Sequence, residues 1–353
     1  MTNSENSRFG RGNVTMKDVA ERAGVSLMTV SRVLNQTATV SPDTRKRVEQ
    51  AVEALNYRPN LGARRLAGGR SMFVGLLYHN PSPGYLSKVL TGGLNACRRF
   101  GHHLVLEDFG QRAPYRDPKT SVGSLNLVDL DGIIVTPPLS VHAPFMEELA
   151  ASRLPIVSVA PAEIHEDGLN VAMDDAQAVE DLVDYIVKSG HRRIAFVKGP
   201  DTHAASYHRL QGYRRGMKKN DLPVSEALMR QGDFTYRSGL VTGQSLLDLD
   251  VRPTAIIASN DDIAAGVIGA AHMLGYSVPG DVSVAGFDDI ELATTIWPEL
   301  TTVRQPIAAM ASQAVALLTA YLRNDAKAIE QNRRLLSHEI IVRASVAPPS
   351  TAL

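Results

Sequence analysis

The chain has 353 residues, 44% of them apolar and 21% charged, with 37 basic side chains balancing 37 acidic ones. That is an ordinary globular composition with room for two or three domains, and it excludes a disordered or fibrous chain. One cysteine, Cys97, excludes an internal disulfide and suits a reducing compartment. The opening MTNSENSRFGRGN has no apolar core, which predicts no secretion signal, and no run reaches the ~18 apolar residues of a membrane span. The zero net charge conceals an asymmetry: residues 1–70 hold 12 Lys and Arg against 6 Asp and Glu, leaving 25 against 31 for the rest. A basic head on an acidic body predicts a polyanionic partner for the head, the alternative being a basic solvated surface.

In chain order, residues 1–13 read as a disordered tail. Three short helical patterns follow. The first, about Met16–Ala23, places Val19, Ala20 and Ala23 at helical spacing behind Thr15 as cap, and Gly24 ends it. Ser26 caps a second, whose inward face is Val30, Val33 and Leu34. Ser41-Pro42-Asp43 starts a third, with Val48, Ala51, Val52 and Leu55 as its core face. Three short helices with a tight turn between the first two predict a helix–turn–helix, whose second helix enters the DNA major groove. Leu27, Met28, Ser31 and Arg32 then fall off the apolar stripe. In a groove, Arg32 can donate to guanine and the two apolar side chains can touch thymine methyl groups; alternatively, Leu27 and Met28 pack on the third helix.

From Met72 onward, apolar runs of strand length recur: MFVGLLY, HHLVLED, DGIIVTPP, PIVSVA, RRIAFVKG, AIIASN and VSVAGFDD. Segments of helical periodicity such as DDAQAVEDLVDYIVKSGH lie between most of them. Strand–helix alternation with fully apolar strands predicts parallel sheets covered on both faces, in two doubly wound lobes. The fold expected is an all-α helix–turn–helix head joined to an α/β body.

The stretch VTMKDVAERAGVSLMTVSRVLNQTATVSPDTRKRVEQAVEALNYRPN closely resembles the DNA-binding head of the LacI/GalR family of bacterial transcription regulators. The resemblance implies that Leu27 and Met28 select operator bases and that Arg32 reads one. It places Thr15, Ser26, Thr29, Ser31, Asn35, Ser41, Thr44 and Tyr57 at or beside phosphates, where they fix register. The head domain is expected over 14–59. The following NLGARRLAGGR, 60–70, has a cap in Asn60 and a stop in Gly68-Gly69 but is too short for a stable isolated helix. It is expected to fold on DNA. The resemblance implies a hinge helix that wedges Leu66 into the minor groove, with Arg64 and Arg65 beside it.

The body offers little to a catalyst. Three acidic pairs stand at strand ends, Asp174-Asp175, Asp261-Asp262 and Asp288-Asp289, but the first two precede helices, where Asp is an ordinary cap. The ten histidines are scattered, there is no nucleophile elbow or phosphate loop, and Cys97 reads as core, so no enzyme, cofactor or metal is expected. The resemblance extends over about 14–345 and implies a two-lobed body of periplasmic-binding-protein type over 71–346, with a tail over 347–353. Lobe 1 is expected over about 71–171 and 306–334, and lobe 2 over 172–305 and 335–346, with crossings near Val171, Gln305 and Leu335. The interlobe cleft is the expected effector site. Arg209 would grip effector oxygens and Asp288 would accept from hydroxyls. Asn260, Asp261 and the ring of Phe234 complete that wall, with Tyr78, His79, Asn80 and Thr136 from the first lobe. Ala160-Pro161 departs from sugar-binding relatives, which carry an acid there. Trp297 could stack on a sugar or lie in a dimer interface.

The function implied is a cytoplasmic, nucleoid-associated repressor, a homodimer on a palindromic double-stranded DNA operator. It would control carbohydrate uptake or catabolism through a small sugar-type effector; the alternative is a purine-responsive, corepressed regulator. A tail of heptads, which would join dimers, is missing from APPSTAL.

Overall fold

The computed structural model describes residues 15–350 apart from 36–39, 56–70, 110–121, 124, 126, 128, 165–167 and 333–334. The chain divides into two units, Met1–Ser71 and Met72–Leu353.

The first unit contains α1 (Met16–Ala23), α2 (Leu27–Asn35) and α3 (Pro42–Ala54). Thr15 and Asp18 hold the start of α1, the Thr15 amide and hydroxyl each donating to Asp18 Oδ2 at 2.7 Å. Gly24 ends the helix in the left-handed region (φ 62°), which only a residue without a Cβ adopts at no steric cost. The chain therefore turns within three residues, and Ser26 caps α2 by accepting from the Thr29 amide. Val19, Ala20, Ala23, Val30, Val33, Val48 and Ala51 make a closed core, with Val52 and Leu55 against it. The side chains of Leu34 and Asn35 lie outside the described residues, as do Tyr57, Arg64, Arg65 and Leu66.

The second unit holds two six-stranded sheets. In the first lobe β1 (Phe73–Tyr78), β2 (His103–Asp108), β3 (Gly132–Val135), β4 (Ile156–Val159), β5 (Leu169–Met173) and β11 (Leu335–Leu336) run parallel in the order β11-β5-β4-β3-β1-β2. Helices α4 (Pro83–Phe100), α5 (Ala143–Ala150) and α11 (Ile307–Leu322) belong to this lobe. In the second lobe the order is β12-β10-β9-β8-β6-β7, from β6 (Ile194–Lys198), β7 (Met229–Gln231), β8 (Ala255–Ala258), β9 (Ser283–Phe287), β10 (Thr301–Arg304) and β12 (Glu339–Ile341). Among the described strands, only β12 runs antiparallel. Its helices include α6 (Asp175–Lys188), α7 (Ala204–Lys219), α8 (Tyr236–Leu247) and α9 (Asp261–Met273). Short α10 (Leu292–Thr295) follows β9, and α12 (Ala326–Asn332) follows α11.

Strands β3, β8 and β9 are buried along their whole length, as sheets covered on both faces require. The helix pairs touch backbone to backbone. A Cβ on Gly239 of α8 would overlap the Ile263 carbonyl of α9, and one on Gly92 of α4 would overlap Ala308 of α11. The chain changes lobe at Asp174, at Gln305 and between β11 and β12. The first change falls later than the expected Val171 because β5 continues pairing through Met173, and Leu335 pairs in the first sheet rather than the second.

Candidate functional site

On the head, Leu27 and Met28 are 51% and 64% exposed, while Val30 of the same helix is fully buried. The pair therefore fills no core, and it stands with exposed Arg32 on the outer face of α2. Ser26 and Thr29 share a 2.9 Å hydroxyl contact at the start of that helix, and Ser41 donates to the Thr44 hydroxyl at 2.8 Å at the start of α3. Thr15, Ser26 and Ser41 therefore sit at helix starts, where free amides favour a phosphate.

On the body, a cavity lies between the lobes. Its wall is drawn from the carboxyl ends of parallel strands and the starts of the helices that follow, the place where open α/β sheets hold ligands. Asn80 and Ser82 follow β1, Ala160 follows β4, and Asp175 opens α6. His203 and Arg209 belong to the start of α7, Asn260 to that of α9, and Asp288 follows β9. Phe234, Ala160 and Asp288 hold positive φ angles of 66°, 45° and 110°, a concentration of backbone strain that the surrounding fold must offset.

Arg209 is 4% exposed and held on several sides. Its Nε donates to Asp175 Oδ1 at 2.8 Å, one terminal nitrogen donates to the Ser259 carbonyl, and the other reaches Gln305 Oε1 at 3.5 Å. The Phe287 ring backs the guanidinium, its centroid 3.6 Å from Cζ. Two of the five N–H donors remain for a ligand. Asp288 lies 3.7 Å from Arg209, beyond hydrogen-bond reach, and its Oδ1 is buried without a partner. Burial pushes its carboxyl up to about 7, against the pull of Arg209 and with Asp262 and Asp175 adding to the rise. Burial also drives His203 down to about 4, helped by His79 and Arg209, so its ring is neutral. His203 Nε2 is buried and unpartnered, and the ring meets Phe234 edge-on at 5.1 Å. Tyr85 completes the wall as a phenol kept protonated by burial.

On one side the lobes are fastened together. Ser82 donates to Asp262 Oδ2 at 2.6 Å, Lys88 donates to the Asp289 carbonyl, and Gly84 lies under the Ile290 side chain. Asp289 itself is held by Arg304 at 2.7 Å and Arg343 at 2.6 Å.

Residues 15–60 match the bacterial regulatory proteins of the lacI family, and 183–346 match the periplasmic binding protein-like domain. Catabolite control protein A of Priestia megaterium is 35% identical over 338 residues, covering 94% of this chain and 99% of that protein. The chain belongs to the LacI family. The transcriptional repressor PurR of Photorhabdus laumondii is 32% identical over 93% of this chain and 97% of its own length. A crystal structure of the lac repressor dimer, bound to operator and the anti-inducer ONPF, superposes with a TM-score of 0.79 at 28% identity, covering 95% of this chain and all of that one. This LacI-family protein is accordingly a DNA-binding transcriptional repressor and not an enzyme.

Of the nine effector-site residues expected in this LacI-family body, the cavity gathers Asn80, Arg209, Phe234, Asn260 and Asp288. Asn260 is already committed, capping α9 through the Ile263 amide and donating to the Phe234 carbonyl. Asp261 is a correction: it is fully buried, does not line the cavity, and accepts from Thr302 at 2.6 Å and from the Ile290 amide at 2.8 Å. It ties α9 to β10 and the turn after β9, with burial raising its carboxyl well above the ordinary range. Thr136 is likewise 1% exposed and bonded to the Leu77 carbonyl, while its neighbour Pro137 lines the wall. Tyr78 and His79 stand off the cavity, although His79 acts electrostatically on His203.

The sequence reading missed Ser82, Tyr85, Asp175, His203 and Gln305. In the sequence Asp175 reads as a cap, but Asp174 caps α6 by accepting from the Gln177 amide at 2.8 Å, which frees Asp175 for Arg209. Asn260, not Asp261, is the cap of α9. The strand-end rule applied to the turn before α7 would have found His203. Among the described residues, no cluster of His, Cys, Asp or Glu is arranged to hold a metal ion, and no helix is long and apolar enough to cross a membrane.

Proposed function

We propose that this repressor senses a neutral, polyhydroxylated effector of the sugar type in the interlobe cavity and adjusts its operator affinity accordingly. One observation carries the reading. Asp288, with a buried unpartnered oxygen, and His203, with a buried unpartnered ring nitrogen, line the same chamber as a clamped Arg209. Adjacent hydroxyls supply donors to the first and acceptors to the arginine, satisfying groups that are costly to leave bare. Arg209 is already paired with Asp175 and lies beside Asp288, which leaves little positive charge for a phosphate or carboxylate ligand.

In this reading Leu27, Met28 and Arg32 choose the operator bases. Thr15, Ser26, Thr29, Ser31, Asn35, Ser41, Thr44 and Tyr57, with Arg64 and Arg65, hold the backbone, and Leu66 wedges the minor groove. The working species is a cytoplasmic homodimer on a palindromic operator, with Trp297, 80% exposed, in its interface. The genes controlled are those of carbohydrate uptake or catabolism. Effector and operator affinity are linked, because a ligand that prefers one lobe arrangement shifts the population that binds DNA.

A purine is the second reading, favoured by the rings of Phe234 and His203 in the cavity wall, which meet edge-on and each offer a face to a flat base. Titration of the full chain by calorimetry with neutral hexoses, pentoses, purine bases and nucleosides separates the two. Saturable heat with a sugar and none with hypoxanthine or guanine is expected; the reverse would overturn the sugar reading.

A further inference from the structure

The outer face of α2 carries an oxidisable atom. Met28 is 64% exposed and Met273, the last residue of α9, is 67% exposed. Met173, Met217 and Met310 are buried, and the remaining described methionines are largely covered. The one thiol does not compete: Cys97 is buried, and burial pushes its pKa up to about 11, so almost none of it is the thiolate that oxidants attack. An oxidant meeting the folded chain therefore finds two thioethers first, and one of them lies on the helix that faces DNA.

We propose that Met28 is a modification site: a peroxide converts its thioether to the sulfoxide, and the modified head releases its operator while keeping its fold. The inference rests on the reading that Leu27, Met28 and Arg32 choose the operator bases. The step is a two-electron oxidation in which a sulfur lone pair attacks one peroxide oxygen and the O–O bond breaks. Sulfur keeps that oxygen, and the other leaves as water with both protons. The thioether is oxidised, the peroxide is reduced, and no further reactant is needed.

The place of Met28 on α2 sets the consequence. Its thioether end suits a thymine methyl group; the sulfoxide is a dipole with a strong acceptor oxygen. Arg32 lies four residues on, exposed on the same face, so the new oxygen is within reach of the guanidinium assigned to a guanine. Oxidation thus removes one base contact and diverts the donor of another. The core of the head is untouched, because Val19, Val30, Val33 and Val48 close it without Met28. Bound DNA shields the thioether in this arrangement, so the free repressor is the form that oxidises.

The test is operator binding by the full chain, read by fluorescence anisotropy before and after treatment with hydrogen peroxide. The probe is a labelled duplex selected from a random-sequence pool by the untreated protein. Peptide mass spectrometry should find one added oxygen on Met28 and on Met273 before any other methionine. Affinity for the selected duplex should fall roughly 10–100-fold, with affinity for a scrambled duplex and the melting of the head unchanged. Methionine sulfoxide reductases acting on both epimers should restore it. In Met28→Leu, whatever its starting affinity, the loss on oxidation should vanish, and in Met273→Leu it should persist. Saturating operator duplex during the treatment should spare Met28 and not Met273. A Met28 that stays unoxidised while covered methionines react, a Met28→Leu chain that loses affinity as the wild type does, or an oxidised Met28 with unchanged operator affinity would overturn the proposal. In that last case Met28→Ala in the untreated chain separates the two ideas: weakened binding leaves the base-reading assignment standing, and unchanged binding overturns it as well.

Discussion

The raised carboxyl of Asp288 makes a quantitative prediction about the empty body. Asp288 titrates at about 7 in the folded chain against its ordinary value of 3.8, so folding favours the protonated form. Its stabilising contribution is complete below pH ~4 and is lost as pH rises to about 7. The gap corresponds to about 4 kcal/mol, and water entering the chamber screens part of it, so a loss of about 2–4 kcal/mol is expected. Asp288→Asn removes the titration and should flatten the stability profile between pH 4 and pH 7. It also removes a charge that raises Asp261, which works in the same direction. For a domain of this size 1 kcal/mol moves Tm by about 2 °C, so the pH-dependent fall in Tm should differ between the two proteins by roughly 4–8 °C. The assay is calorimetric melting of wild type and variant without ligand at half-unit steps of pH. Parallel profiles would refute the reasoning, because they would mean that Asp288 is hydrated and titrates as an ordinary carboxylate.

Arg209→Ala should leave Asp175 buried and unpaired, costing about 3 kcal/mol of stability, and should abolish the effector's influence on operator affinity in a gel-shift titration. Adding Asp175→Ala should recover part of that stability but none of the response. Leu27→Ala and Met28→Ala should leave the head's melting within about 0.5 kcal/mol of wild type, since neither side chain is in its core, yet weaken operator binding roughly 10-fold by fluorescence anisotropy. A large loss of stability would instead mark them as packing residues. Gly239→Ala should force α8 away from α9 and cost about 2–3 kcal/mol in a denaturant melt.

Much of the architecture is legible in the residues because its signals are local. Apolar runs such as GIIV and AIIA are buried end to end, and the Gly24 and Ser26 punctuation marks the turn of the head. The strands that escaped notice are short or mixed: MRQ of β7, TTVR of β10 and LL of β11 owe their conformation to neighbouring strands rather than to their own pattern. The cavity divides the same way. Arg209 and Asp288 stand in recognisable phrases, but whether an acid beside a helix caps it or pairs with a distant arginine depends on a rotation of about 100° along that helix. Asp174 and Asp175 differ by that one step, as do Asn260 and Asp261. Burial decided the rest, since nothing local to Thr136 says that its hydroxyl turns back on Leu77.

The threefold passage of the chain between lobes has a consequence for its synthesis. The first lobe holds its first five strands by residue 173, yet the helix that covers one face of its sheet is 307–322 and its last strand is 335–336. Until α11 emerges from the ribosome, Val157, Ile134 and the groove beside Gly132 lack the cover that Ala314, Val315 and Leu318 provide. The second lobe waits for β12. The head, by contrast, has its core complete by Leu55. Nascent chains thus carry a finished head core while both lobes still show bare apolar sheet, and a chain truncated between about 260 and 306 keeps that state permanently.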